Sequence, residues 1–230
     1  MGAITRVAGT TGISASGGDG GLATDALLFF PYVVAVTADG GFLIADSGNH
    51  VVRKVSADGL ITCVAGTTGT AGSGGDGGLA THAQLSSPFA VAVTGDGGFL
   101  IADTANHVVR KVSAGGVITR VAGTTGTAGS GGDDSLATHA QLNRPFAVAV
   151  TADGGFLIAD NSNHVVRKVS ADGVITRVAG TTGTAGSGGD DGPATDAQLN
   201  SPYGVTVTAD GGFLIADTGN QVVRKVEPID

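Results

Sequence analysis

Apolar residues in this sequence fall into short runs that are separated by Gly, Asp, Asn and Ser. One stretch of the chain contains four such runs, at 89–93, 99–102, 107–112 and 117–122. Runs of this length that are rich in β-branched residues and bounded by turn-forming residues are typical of β-strands. The pattern therefore predicts a unit of four short antiparallel strands, which we name strands a to d.

The same unit recurs with a fixed period. The string Phe-Leu-Ile-Ala-Asp ends at Asp46, Asp103, Asp160 and Asp217, at intervals of 57 residues. A fixed period of this kind indicates a repeat architecture, and four-stranded units repeated around an axis are the blades of a β-propeller. We therefore expect one all-β propeller domain over residues 1–230, with repeats at about 3–59, 60–116, 117–173 and 174–230.

The two ends of the sequence carry complementary parts of one unit. Residues 3–8 read as a lone strand d, and residues 203–226 read as strands a, b and c. Pairing the two would complete a fourth blade, close the ring and leave no end face exposed. The same ends could instead pair between two chains and form eight blades, so a monomer and a homodimer both stay open.

The amino-acid composition indicates which residues form the core and which classes of partner are disfavoured. The chain is 41% hydrophobic but only 4% aromatic, which predicts a core of Val, Ile, Leu and Ala. Its net charge of −8 disfavours nucleic acid as a partner, because an acidic surface repels phosphates. No apolar run approaches the length of a membrane span, so we expect no membrane partner. Cys63 is the single cysteine, which excludes an intrachain disulfide, and the compartment is left open.

A connection of about 22 residues joins strand d to the next strand a. Thr81 and Gln84 have the spacing of a capping box, which predicts one helical turn that Pro88 ends. The Gly-rich part of the connection has no surrounding βαβ unit, which argues against a dinucleotide site. We expect its Asp residues to cap turns: Asp19, Asp76, Asp133 and Asp190. We also expect the strand-c arginines to pair with the strand-b aspartates between blades: Arg53, Arg110, Arg167 and Arg224.

The stretch 100–112 resembles the NHL repeat. Asn106 and His107 stand where the family has its Asn and His, and Val108 stands in place of its Leu. The stretch 74–85 is similar to the extended variety of NHL repeat, which has a long loop between blades. The resemblance covers essentially the whole chain and implies a propeller that serves as a protein-binding, RNA-binding or sensor module. Members of the family tend to have more than four blades, and a minority are lyases with a metal held by histidines.

Strand direction places the b–c turns and the long d–a loops on one face of the propeller, which we call the long-loop face. Surface loops of this kind make it the default binding face. One repeat position on it is occupied by Asp25, His82, His139 and Asp196. This set has the ligand types of a divalent metal site, but an exposed first helical turn also explains it.

Three histidines recur at a second position of the long-loop face: His50, His107 and His164, with Gln221 in the fourth repeat. They are candidate metal ligands, but recurrence in nearly every blade favours a structural role in the b–c turn. The first repeat also differs from the others by three apolar residues, Leu27, Phe29 and Phe30. Exposed side chains there would form a patch for a partner, whereas buried ones would fill a local gap.

The sequence thus favours a non-catalytic module that presents its long-loop face to a protein or peptide, without a cofactor. A metal-dependent lyase or hydrolase with its metal near the axis is the main alternative. An amplified or engineered propeller without a specialised ligand is a further one, because the repeats are nearly identical.

Overall fold

The computed structural model describes residues 2–228 of the chain. Within them the strands are short and, apart from the two-residue β9, lie where the apolar runs predicted them. They are β1 Pro31–Val36, β2 Phe42–Asp46, β3 Val51–Val55, β4 Ile61–Ala65, β5 Pro88–Val93, β6 Phe99–Asp103, β7 Val108–Val112, β8 Ile118–Ala122, β9 Ser135–Leu136, β10 Pro145–Val150, β11 Phe156–Asp160, β12 Val165–Val169, β13 Val174–Ala179, β14 Pro202–Val207, β15 Phe213–Asp217 and β16 Val222–Val226.

These strands form four separate antiparallel sheets. Blade 1 has the order β1-β2-β3-β4, blade 2 the order β5-β6-β7-β8, and blade 3 the order β10-β11-β12-β13 with the short β9 beside β13. Blade 4 is made of β14-β15-β16. The innermost strands β1, β5, β10 and β14 pack against one another in that order. The chain is therefore an all-β, four-bladed β-propeller, as the sequence predicted.

The core lies between successive blades. Leu43, Ala45 and Val52 of blade 1 pack against Phe99 and Ile101 of blade 2. All five are buried, and the same positions pack blade 2 against blade 3. Aliphatic side chains dominate this core, in agreement with the low aromatic content. Alternating positions of each strand face the two neighbouring blades, so blades 2 and 3 are apolar on both sides.

Single-turn 3₁₀ helices occur at the b–c turns and in most long connections. Those of the b–c turns are Ser47–Asn49, Thr104–Asn106, Asn161–Asn163 and Thr218–Asn220, and those of the long connections are Ala23–Asp25, Ala80–His82 and Ala137–His139. The predicted helical turn before Pro88 is thus confirmed. Its capping is not as predicted, because Leu79 precedes the helix and no side chain caps it. No helix of residues 2–228 has the length and apolar character needed to cross a bilayer.

The two end blades differ from the inner ones. Residues 3–8, which we expected to complete blade 4, form no strand, and blade 4 has three strands. Ala8 instead packs with Ile44, Val55 and Ile61 of blade 1. The backbone N–H of the following residue, Gly9, donates to Ala23 at 2.8 Å. Because these contacts hold the segment on blade 1, the predicted pairing within the chain was wrong.

The faces that would meet at closure are exposed. Val34 on β1 is 64% exposed, whereas Val91, one repeat later, is 4% exposed. Val223 on β16 is 70% exposed, whereas Val109 at the same place in blade 2 is fully buried. Blades 1 and 4 therefore turn these apolar faces toward solvent and not toward each other.

Candidate functional site

The rim of the long-loop face is built on a buried aspartate at the end of each strand b. In blade 2, Asp103 accepts hydrogen bonds from the Ser86 backbone N–H at 2.7 Å and from the Asn106 side chain at 2.8 Å. Its side chain is fully buried, and this desolvation raises its pKa to about 6. Asp103 and Asn106 together fix the b–c turn against the end of the long loop.

Below the turn, an arginine on strand c joins the blade to the long loop. The Arg110 guanidinium donates to the Gln84 carbonyl at 2.7 Å and lies 2.9 Å from the Asp76 carboxylate. It also lies 3.6 Å from Asp103 of its own blade. The predicted pairing with strand-b aspartates between blades was therefore wrong, because the pair lies within one blade. The expectation that Asp76 caps a turn was also wrong, because its carboxylate pairs with the arginine.

The histidines of the b–c turns connect neighbouring blades. His107 has a left-handed backbone, with φ +60°, and ends the 3₁₀ helix that begins at Thr104. Its Nδ1 accepts a hydrogen bond of 3.1 Å from the backbone N–H of Arg144 in the next blade. His50 and His164 accept equivalent bonds from Ser87 and Ser201 at 3.1 and 3.0 Å. Each ring thus has one nitrogen occupied by an inter-blade contact.

A row of stacked aromatic side chains runs across the blades at the start of the innermost strands. We call this the aromatic row, and it consists of Phe30, Tyr32, Phe89, Phe146 and Tyr203. The ring centroids of Tyr32 and Phe89 are 4.1 Å apart, and those of Phe89 and Phe146 are 4.5 Å apart. Tyr203 meets Phe146 edge-on at 4.5 Å. Stacked and edge-on contacts are the preferred geometries of aromatic pairs.

The aromatic row owes its position to a repeated irregularity of the backbone. Each member on an innermost strand directly follows a proline, and the strand register shifts at that point in every blade. A β-bulge re-aims a side chain, and here it does so once per blade at the same height. The preceding prolines pair with the strand-b aspartates at the long-loop rim, as Pro88 does with Asp103. The row therefore lies at this rim, near the axis.

Exposure varies along the aromatic row. Phe30 is 59% exposed, Tyr32 52% and Tyr203 42%, while Phe146 is only 7% exposed. The Arg144 guanidinium carbon lies 5.9 Å from the centre of the Phe146 ring, a cation–π contact. The row thus combines partly exposed aromatic rings, two phenol hydroxyls and one cation.

The predicted apolar patch of the first repeat joins this row. Phe30 stacks on Phe29 with a centroid distance of 4.6 Å and lies 6.3 Å from Tyr32. Phe29 is half-buried against Gly48, and its backbone N–H donates to Asp46 at 2.8 Å. Leu27 is also half-buried, and its carbonyl accepts a hydrogen bond from Arg53 at 2.8 Å. Of the three predicted patch residues, Phe30 is the exposed one.

Sequence reasoning did not find the four aromatic residues of the inner strands. The signal was present, because each follows a proline at intervals of 57 residues: Tyr32, Phe89, Phe146 and Tyr203. The low overall aromatic content predicted an aliphatic core, and this recurring aromatic position was therefore not recognised as a candidate site.

The other predicted ring, of Asp25, His82, His139 and Asp196, lies at the outer edge. The Ala80–His82 helix packs against β4, the outermost strand of blade 1. The Ala80 N–H donates to Gly116 in the c–d turn of blade 2, which fixes the helix between the two blades. All four side chains are exposed. Across residues 2–228, no group of three or more His, Cys, Asp or Glu is arranged to hold a metal ion.

Clefts open between blades on the opposite face, beside the a–b and c–d turns. The larger has a volume of about 950 Å³ between blades 1 and 2 and is lined by Asp39, Leu79 and Val93 among others. A second of about 540 Å³ lies between blades 2 and 3 and includes Val150, the repeat equivalent of Val93. Equivalent repeat positions line both clefts, so the clefts are a consequence of the spacing between neighbouring blades.

Cys63 lies on the outermost strand β4 and is partly buried. Burial, and then the nearby Asp19 charge, raise the pKa of its thiol to about 11. A raised pKa keeps the thiol protonated and argues against a nucleophilic role.

Similarities to known proteins agree with this architecture. No protein-family profile matches the sequence. Teneurin-4 from Mus musculus is 30% identical over 240 residues, which cover 92% of this chain and 8% of the teneurin. The chain therefore spans a small part of this curated relative. Together with the blades, the similarity supports assignment to the NHL-type β-propellers.

Two solved structures share the fold. One is described as an auxiliary nutrient binding protein from Bacteroides thetaiotaomicron, with a TM-score of 0.64 and 20% identity over 84% of this chain and 46% of that chain. The other is a streptogramin B lyase, with a TM-score of 0.59 and 12% identity over 86% of this chain and 51% of that one. At these identities the likeness shows a common fold and carries no chemistry.

Proposed function

We propose that this protein is a non-catalytic binding module of the extended, 57-residue NHL type, which presents the aromatic row to a protein or peptide. The observation that carries the proposal is the row itself. It places five stacked aromatic side chains, of which Phe30 is 59% exposed, at the rim of the long-loop face. Exposed aromatic groups with polar ends are enriched at protein interfaces.

The chemistry around the aromatic row indicates the kind of peptide. The exposed parts of the rings offer apolar contact to aliphatic or aromatic side chains, and the Tyr32 and Tyr203 hydroxyls offer hydrogen bonds to a peptide backbone. Arg144, exposed beside Phe146, supplies the positive charge. A segment with two or more large apolar residues and a nearby carboxylate fits this arrangement.

The row is well suited to specific binding because it is held rigidly. The register shift after each proline recurs in all four blades, and buried aspartates fix the adjoining turns. A rigid surface loses little conformational entropy when a partner binds. The similarity to teneurin-4 supports a binding scaffold of this fold.

The alternative of a metal-dependent lyase or hydrolase has less support. It needs side chains that converge, whereas His82 and His139 lie beside the outer strands of different blades. His50, His107 and His164 use Nδ1 to accept backbone hydrogen bonds. The lyase neighbour shares only the fold.

Selection from a displayed library of random 12-residue peptides tests the proposal. We expect wild-type protein to enrich peptides with paired large apolar residues. The Phe30→Ser/Tyr203→Ser variant should bind those peptides at least tenfold more weakly, because truncating an aromatic hot spot costs about 1–2 kcal/mol or more.

The matched control is Leu60→Ser, which removes a side chain of 41% exposure near the c–d turn on the opposite face. It should leave peptide affinity unchanged. Equal loss in both variants, or enrichment of peptides whose binding ignores Phe30 and Tyr203, would move the binding site away from the aromatic row.

A further inference from the structure

The two ends of this propeller carry the two halves of one blade-to-blade interface. Inside the chain, blade 1 contributes Leu43, Ala45 and Val52 to its contact with blade 2. The same positions in blade 4 are Leu214, Ala216 and Val223, and all three are partly or largely exposed. Within residues 2–228, this apolar face therefore has the residues of a blade interface but no blade packed on it.

The opposite half is found on blade 1. Blade 2 meets its neighbour with Val91, Phe99 and Ile101, which are buried. The equivalents on blade 1 are Val34, Phe42 and Ile44, of which Val34 is 64% exposed. The faces of blades 4 and 1 are thus complementary in the way that each internal pair of blades is complementary.

The N-terminal segment already occupies the place of a missing outer strand. Ala8 packs against Ile44 and Ile61, as Ala65, one repeat later, packs in the interface with blade 2. The Gly9 N–H donates to Ala23 at 2.8 Å, as the Gly66 N–H does to Ala80 at 2.9 Å. Residues 3–8 therefore lie beside blade 1 in the position that strand d of one blade takes beside the next blade.

The missing partner of this segment is specified by sequence. Residues 4–8 are identical to β8, and β16 is identical to β7. In blade 2 these strands pair with Val109 opposite Ala122 and Lys111 opposite Thr119. The same register sets Val223 opposite Ala8 and Lys225 opposite Thr5. The free edge of β16 and the free segment 3–8 thus match residue for residue, although they are not paired within the described chain.

We propose that two copies of this chain close head to tail into one eight-bladed ring, in which residues 3–8 of each copy form the outer strand of the other copy's blade 4. A two-fold axis relates the two junctions, so the ring closes and leaves no apolar end. Both junctions repeat a contact that each chain already makes three times between its own blades. Closure also removes the β16 edge, which is otherwise open to uncontrolled pairing.

Disulfide trapping tests the predicted register directly. In a Cys63→Ser background, one preparation carries Thr5→Cys and a second carries Lys225→Cys. After mixing and mild oxidation, we expect covalent dimers that contain one chain of each kind. Lys111→Cys/Thr119→Cys in a single chain is the matched control, because these residues face each other in blade 2 and should link within the chain.

The double variant Thr5→Cys/Lys225→Cys separates the two modes of closure. A doubly linked dimer would support the ring of two copies. A disulfide within a monomer would overturn it and indicate closure of four blades on themselves. Absence of any link, while the blade 2 control forms its link, would also overturn the proposal.

Mass measurement by light scattering gives an independent readout. The untagged chain should have about twice the 22.2 kDa mass of one chain. Deletion of residues 2–7, or Val223→Asp, should yield monomers with an unchanged circular dichroism spectrum, because residues 2–7 and Val223 are exposed. A monomeric wild type, a series of higher multiples, or dimers that survive both changes would contradict the ring.

Discussion

The Arg110 guanidinium and the Asp76 carboxylate lie 2.9 Å apart, although the residues are separated by 34 positions in the sequence. Arg110 is 1% exposed and also binds two carbonyls of the long loop, those of Gln84 and Gly74. One side chain therefore holds the long loop of the preceding connection against strand c. The same contact recurs in the other blades.

Replacing this arginine in blade 2 should lower the stability of the protein strongly. Arg110→Met leaves Asp103 buried without its countercharge and frees the loop carbonyls. We expect it to lower the free energy of unfolding by about 3–5 kcal/mol. Urea denaturation followed by circular dichroism measures the change.

Arg224→Met is the matched control for Arg110→Met. Its side chain is 11% exposed and its partner Asp190 is 76% exposed, so water screens the pair. We expect a clearly smaller loss. Equal losses at the two positions would show that burial does not determine the strength of this contact.

The inter-blade histidine predicts a pH dependence. Burial and the nearby Arg144 charge lower the pKa of His107, so the fold favours the neutral ring whose Nδ1 accepts a hydrogen bond. The unfolded chain then takes up a proton first as the pH falls through about 6.5, and this contribution to stability is lost below that pH.

His107→Gln isolates the effect of this histidine. Gln221 occupies the equivalent position in blade 4 with the same left-handed backbone, so the substitution is compatible with the turn. We expect the stability difference between wild type and variant to shrink from pH 8 to pH 5.5. A difference that is constant over this range would show that the pKa of His107 is the same in the folded and the unfolded protein.

Alanine substitutions at two glycines distinguish the cost of a left-handed backbone from the cost of a steric clash. Gly116 and Gly123 both have left-handed φ values, +79° and +87°. A Cβ at Gly123 would lie 2.4 Å from the His107 carbonyl oxygen, whereas a Cβ at Gly116 would meet nothing within 4 Å. Gly116→Ala should cost about 1–2 kcal/mol. Gly123→Ala should cost about 1–3 kcal/mol more, as judged by thermal unfolding.

The thiol of Cys63 should be unreactive in the native protein. With its pKa raised to about 11, only about 0.1% is thiolate at pH 8, against roughly a quarter for an ordinary cysteine. Alkylation by iodoacetamide at this pH should be at least tenfold slower in native than in urea-unfolded protein. Equal rates would place the thiol in a more polar, accessible setting.

The blades were predictable from the sequence because their signals are local and repeated. Strand c of blade 2 was predicted to start at His107 and starts at Val108, and strand b was predicted from Phe99 and begins there. Short β-branched runs between turn residues determine such elements with little help from distant contacts. Repetition across four units strengthened each assignment.

The partners of charged residues were not predictable in the same way. Asp76 is of a residue type that commonly caps turns, and only the path of the long loop brings it to Arg110. The partner of segment 3–8 was not predictable either, because its sequence does not determine whether it pairs with β16 of its own chain or of a second copy. The aromatic row also depends on a register shift after each proline, which no local propensity reveals.

The central claim is that a partner binds on the aromatic row, and fluorine NMR tests it most directly. The chain has eight phenylalanines, so protein labelled with 4-fluorophenylalanine carries its own controls. Phe29, Phe30, Phe89 and Phe146 belong to the row or touch it, whereas Phe42, Phe99, Phe156 and Phe213 begin strand b at the opposite end of each blade. On titration with a selected peptide, we expect the resonances of Phe30 and Phe89 to shift while the strand-b set stays in place. Shifts confined to the strand-b set would place the partner on the opposite face and contradict the account.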